Sequence, residues 1–328
     1  MRDLVQKFPD QLQDAISKFE NLEIEKPEKA IQNIVCAGMW WSGIAWTFVE
    51  KFGNKGLKIP YTTCKDYDLP NFVNENTLVI VSSHSWNTEE TISTMLQAKD
   101  KKANIVCISS GWKIFEFARE NNLNLISLPD WMMPRACYTY SLVAQFFLLE
   151  KLWLLNINIK NEINNIINLI RENESDFKNI AINLAKSIDN KTPLIFADST
   201  MEPVAIRFRQ QLNENSKILW FTSTIPESNH NELLWRKDFY ENILPIFLRH
   251  NYEHKRNNLR IELTKQIIGS KVEKISEIKV GWNTLLEQLF SMIYITDWAS
   301  VYLAEIRQVD PIEIETINFL KNELSKNS

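Results

Sequence analysis

Glycine is scarce in this chain: 7 residues among 328, fewer than its 11 tryptophans. Usage is ordinarily about 7%, so the backbone has little freedom for left-handed turns or for close approach to an anion. Histidine is equally sparse, at four residues. His250 and His254 share a helical spacing, but no carboxylate or third ligand is placed to complete a zinc motif. Four cysteines, Cys36, Cys64, Cys107 and Cys137, lie far apart with no C-x-x-C pair. They read as reduced intracellular thiols in a core. Surplus positive charge is missing too, since a net charge of -4 leaves no basic stripe for nucleic acid. The opening residues lack the apolar core of a signal peptide. Ser141 to Leu155, the most apolar stretch, is interrupted by Gln145, Glu150 and Lys151 and makes a poor membrane span. These absences predict a soluble cytoplasmic protein that binds neither nucleic acid nor membrane.

What is present is the pattern of an α/β protein. Short apolar runs at Ile34 to Gly38, Leu78 to Val81, Ile105 to Ile108 and Leu125 to Leu128 read as buried parallel strands. Helical stretches at Gly43 to Phe52, Thr88 to Lys99 and Lys113 to Asn121 alternate with them, which predicts a doubly wound sheet. Leu12, Ile16 and Phe19 follow Pro9 at helical spacing and predict a leading helix. Pro134 to Leu155 reads as a long apolar helix leaving this lobe. A second pattern follows, with a strand at Leu194 to Ala197, a helix from Glu202 to Leu212 and a strand at Lys217 to Phe221. The last third reads as helical, with Leu285, Leu289, Met292 and Ile293 on one stripe. The expected organisation is an N-terminal lobe over 1–155, a helical connector over 156–190 and a C-terminal lobe over 191–328.

In open α/β sheets ligands sit where strands end and helices begin, because free backbone N–H groups meet an anion there. Two loops have that address: Gly38 to Gly43, and Ser82 to Thr88 with its cluster of hydroxyls. Such hydroxyls suit a phosphate cradle, but Ser and Thr cap helices by default, and on the loop alone N-caps are the favoured reading.

Along the whole chain, motifs then accumulate in order: Asp66 to Pro70, Ser83 to Thr91, Met133 to Ala136, Leu212 to Lys217, Pro226 to Glu232 and Val309 to Pro311. Together they resemble the bifunctional phosphoglucose/phosphomannose isomerase family, within the sugar isomerase (SIS) superfamily. The resemblance implies two SIS-type lobes and a helical C-terminal segment. It also implies an aldose-ketose isomerase acting on glucose 6-phosphate or mannose 6-phosphate and fructose 6-phosphate, with no metal or other cofactor and with a homodimeric assembly. By the same resemblance Ser42, Ser83, Ser85 and Thr88 bind the phosphate, and Glu214 is the base that moves a proton between C1 and C2. Arg135 stabilises the enediolate, His230 opens the ring, and Lys321 assists at the ring oxygen. His84 stands where the family has an aromatic residue and receives no role. The alternative, from a different class, is a non-catalytic sugar-phosphate-binding or regulatory SIS protein.

The departures from the family pattern run in one direction. Trp40, Trp41, Trp46, Trp86, Trp112, Trp153 and Trp235 stand where the resemblance places glycine, whereas Trp298 stands where an aromatic is normal. Drift would scatter small residues among such sites. A repeated change to the largest side chain reads instead as a UGA codon for glycine written as tryptophan. Taken literally, adjacent indoles at Trp40 and Trp41 fill the first cradle.

Overall fold

A computed structural model describes the chain except for residues 54–55, 85–87, 235–241 and 327–328 and the side chains of 40–43, 112 and 325. The described chain divides into two units, residues 7–171 and residues 1–6 with 172–328. Helix α1 (Arg2–Gln6) joins the second unit, where the Arg2 guanidinium donates twice to Glu305 at 2.9 Å.

The first unit starts with α2 (Phe8–Phe19), whose Pro9 stands in the first turn and whose Leu12, Ile16 and Phe19 are buried, as the sequence predicts. Its sheet contains β1 (Asn33–Ala37), β2 (Tyr61–Cys64), β3 (Thr77–Ser83), β4 (Asn104–Ser109) and β5 (Asn124–Ser127), in the order β2-β1-β3-β4-β5 with every pair parallel. Strand β3 is buried throughout, the near-continuous apolar run that a sheet covered on both faces requires. Each fully buried valine or isoleucine there contributes about 1.5–3 kcal/mol relative to exposure. Helices α3 (Trp40–Gly53), α4 (Glu89–Asp100) and α5 (Trp112–Glu120) pack on this sheet, and α6 (Tyr138–Lys151) and α7 (Ile159–Glu172) follow in the chain.

Two expectations change. Strand β2 was not anticipated. Helix α6 starts later than Pro134, because Met133–Cys137 closes a turn in which the Met133 carbonyl accepts from the amides of Ala136 and Cys137. It is buried from Tyr138 to Leu149 and packs against α2 and α3, so it is a core helix of this unit and does not leave it. It ends at Lys151, where Trp153 takes φ of 63°. All four cysteines are free and buried, in agreement with their reading as core residues.

The second unit contains α8 (Glu174–Ile188), β6 (Thr192–Asp198), α9 (Glu202–Ser216), β7 (Phe221–Ile225), β8 (Ile243–His250), α10 (Lys255–Gly269), β9 (Ser276–Val280), α11 (Leu285–Ile306) and α12 (Glu315–Lys326). Its sheet order is β7-β6-β8-β9, again all parallel. The strand expected at Lys217 to Phe221 lies further along. Helix α9 runs to Ser216, Lys217 ends it at φ of 57°, and Leu219 is exposed. The last third is not wholly helical, since β8 and β9 complete the sheet. The stacked rings of Phe196 and Phe247, 4.8 Å between centroids, join β6 to β8 in the core. Among the described residues no helix is long and apolar enough to cross a membrane.

Candidate active site

In the first sheet the chain runs from β1 outward to β2, then returns past β1 to β3 and on to β5, so a crevice opens between the carboxyl ends of β1 and β3. The two strands come very close there. A Cβ on Gly38 would overlap the Ser82 carbonyl oxygen and the ring tip of Trp46, and Gly38 has φ of 150°. Glycine is therefore a requirement at that point.

Ser83 ends β3 with its side chain buried, and its Oγ lies 3.3 Å from Thr88 Oγ1. Thr88 occupies the N-cap position of α4, yet its hydroxyl makes no capping bond to that helix. The cap reading of the loop thus fails at Thr88, and two hydroxyls converge at the crevice instead. Ser85 lies outside the described residues, and Ser42 stands in the first turn of α3 with its side chain outside the description.

Residues that carried no role in the sequence support this loop. Ser109 Oγ donates to the Ser83 carbonyl at 2.7 Å and Ser110 Oγ to the His84 carbonyl at 2.8 Å. The only sequence signal for these props is a serine pair at the end of an apolar run. The imidazole of His84 bonds the Pro129 carbonyl at 3.0 Å. A carbonyl can only accept, so His84 Nε2 carries the proton. Burial lowers the His84 pKa below its ordinary value, against the opposing pull of the Pro129 carbonyl and the Asp130 carboxylate. Arg135, 2% exposed, lies in the Met133–Cys137 turn that leads into α6.

The remaining candidates lie in the second unit, on three separate elements. Glu214 is buried two residues before the end of α9. It sits on the helix and not in a turn. Next to it, Asn215 Nδ2 donates to Ser300 Oγ at 2.9 Å and Ser216 Oγ to the Ser300 carbonyl at 2.8 Å, which staples the end of α9 to α11. A buried ion pair, Arg207 with Asp297 at 2.6 Å, ties the same two helices about two turns earlier along α9. His230 is exposed at the end of a 3-10 turn over Glu227–His230, and its neighbour Asn229 donates to Thr264 Oγ1 at 2.8 Å. Lys321 is exposed on α12.

The second sheet has its own crevice, between β6 and β8, and protein groups fill it. Asp198 Oδ1 accepts from the amides of Thr200 and Met201 at 3.0 Å at the entry to α9, and His250 Nε2 lies 3.0 Å from the same oxygen. A carboxylate of the chain occupies the position where an outside anion would bind. His254 caps α10 by accepting from the Arg256 amide. The two histidines with helical spacing thus serve different structural ends. Among the described residues no cluster of three potential metal ligands occurs.

The bacterial phospho-glucose isomerase C-terminal SIS domain matches residues 177–324. The chain is 33% identical over 338 residues to a bifunctional phosphoglucose/phosphomannose isomerase of Caldicellulosiruptor bescii, covering 99% of each. It is 31% identical to a protein of the same name from Aquifex aeolicus, covering 95% of this chain and 96% of that one. A crystal structure of a putative phosphosugar isomerase from Clostridium difficile shares the fold with a TM-score of 0.74 at 17% identity, covering 95% of this chain and 94% of that one.

Proposed function

Because the chain belongs to the bifunctional phosphoglucose/phosphomannose isomerase family, we propose that it interconverts glucose 6-phosphate and mannose 6-phosphate with fructose 6-phosphate through an enediol(ate), using no metal or nucleotide. The observation that carries the reading is the pair of converging hydroxyls, Ser83 and Thr88, at the β1/β3 crevice. With Ser42 and Ser85 they hold the phosphate. The reaction only moves hydrogen. A base removes the proton from C2 of the open aldose, the negative charge spreads to the C1 oxygen, the O2 hydroxyl proton passes to that oxygen, and the abstracted proton returns at C1.

Glu214 is the base, and Arg135 balances the charge that develops on oxygen. His230 opens the ring, and Lys321 assists at the ring oxygen. The working unit is a homodimer in which each chain has two SIS lobes, with residues 156–190 as the helical connector. The exposed Phe319, Leu320 and Leu324 on α12 support association. The setting is cytoplasmic carbohydrate metabolism, in glycolysis and gluconeogenesis.

Purified protein supplied with fructose 6-phosphate in chelator should form glucose 6-phosphate in a coupled assay. Glu214→Gln should lower kcat by ~10²–10⁴-fold with unchanged thermal stability. A protein that binds the sugar phosphate without turning it over would sink the proposal, and a Gln variant with more than half the parent rate would remove Glu214 from its role.

A further inference from the structure

Three loops leave the carboxyl ends of β3, β4 and β5, and His84 joins them. Its Nε2–H reaches the Pro129 carbonyl in the loop after β5, at 3.0 Å, while its own carbonyl accepts from Ser110 in the loop after β4. The Leu128 amide donates to the Ser109 carbonyl at 2.7 Å, and this fixes the base of the same segment. From Pro129 the chain runs directly to the turn that carries Arg135. We propose that His84 is a positioning residue: its imidazole pins the Arg135 segment to the hydroxyl loop and so sets where the guanidinium stands relative to a bound phosphate. This rests on the isomerase reading of the same site.

The ring must donate for this purpose, and its bulk alone is not enough. His84→Phe keeps a planar ring and loses the donor, whereas His84→Gln places an amide N–H near the original Nε2. Since a misplacement of about 1 Å can cost ~10²-fold in rate, the Phe variant should lose roughly tenfold or more in kcat with KM little changed, and the Gln variant should recover most of it. Hydrogen exchange at the amides of 131–137 should be faster in the Phe variant than in parent or Gln variant. Parent-like kcat and protection in the Phe variant, or an equal loss in the Gln variant, overturns the proposal. A parent inactive on sugar phosphates overturns the isomerase reading alone, and the exchange comparison still decides whether His84 pins the segment.

An independent observation concerns the end of α6. The Trp153 amide donates to the Glu150 carbonyl at 3.0 Å and the Leu154 amide to the Leu149 carbonyl at 2.9 Å, with Trp153 at φ of 63°. That is the Schellman arrangement, whose left-handed position is the one most often filled by glycine. The indole is 78% exposed, so burial does little to offset the strained backbone. Every other non-glycine residue described at positive φ is lysine, asparagine or glutamine. Trp46 departs in a second way: it is completely buried, and its ring tip takes the space that a Cβ on Gly38 would occupy. We infer that Trp46 and Trp153, with Trp40, Trp41, Trp86, Trp112 and Trp235, are glycines in the protein the cell makes, inserted at UGA codons. One cause then accounts for the tryptophan excess, the glycine deficit and the two misfits.

Mass spectrometry of tryptic peptides from the native protein decides it. In the peptides Leu152 to Lys160 and Ala30 to Lys51, one and three indolylmethyl side chains respectively should be replaced by hydrogen, and the codons at 46 and 153 should be UGA while that at Trp298 is UGG. Tryptophan mass in either peptide, or UGG at either codon, overturns the inference.

Discussion

Asp198 and His250 show how a buried charge is held. The Tyr252 amide donates to His250 Nδ1 at 3.2 Å, so the ring proton is on Nε2 and points at Asp198. Burial alone would raise the Asp198 pKa, but the hydrogen bonds from His250 and from the amides of Met201 and Thr200 outweigh it and hold the carboxyl below its ordinary value. A depressed folded pKa contributes stability that is present above the unfolded value, near pH 3.9, and is lost as pH falls through the folded one. Asp198→Asn should therefore cost roughly 1–3 kcal/mol at neutral pH and flatten the acid limb of the stability curve. Urea titrations at pH 7 and at acid pH measure both; an unchanged acid limb would show that the carboxylate is not the titrating group. At this scale the sequence offered residue types and little about their surroundings. The sequence predicts a helix that ends at Leu212, whereas Glu214 has a helical backbone because α9 continues until Lys217 breaks it.

At the scale of elements, legibility followed the strength of the local signal. The core strands of the first sheet are apolar runs between helical segments, and each was placed to within a residue or two. Strand β8 was not seen because Pro245 interrupts its run, and proline is ordinarily excluded from the interior of a sheet. Here β8 is nevertheless central, with Pro245 opposite Leu194 and β9 on its other side. Helix α11 has the clearest start of any element. Thr284 Oγ1 accepts from the Glu287 amide and the Glu287 carboxylate accepts from the Thr284 amide, which closes a capping box. The helix is buried from Leu286 to Ala304 and carries the staples to α9. Thr284→Ala should cost about 1 kcal/mol and lower the thermal midpoint by a few degrees, with the helical circular dichroism of the native state retained. No loss of stability would mean that packing alone defines the start of α11.

At the scale of the molecule, the alternation of strands and helices revealed two parallel sheets. It could not reveal that one crevice is lined by hydroxyls and the other closed by Asp198, because that difference depends on which side chains turn inward. The sulfur atoms add a second asymmetry. All four cysteines fall within residues 7–171, and burial raises every thiol, Cys107 to about 12 and Cys36 and Cys137 well above the ordinary value. The reactive species is the thiolate. An alkylating reagent should therefore leave Cys36, Cys107 and Cys137 untouched in the native protein and modify them as denaturant opens that unit, as peptide mass mapping would show. Rapid modification of these three in buffer would contradict their burial. Sulfur thus provides the protein with a built-in gauge of one half only: alkylation reports when the hydroxyl-lined lobe opens and is silent about the lobe that carries Glu214.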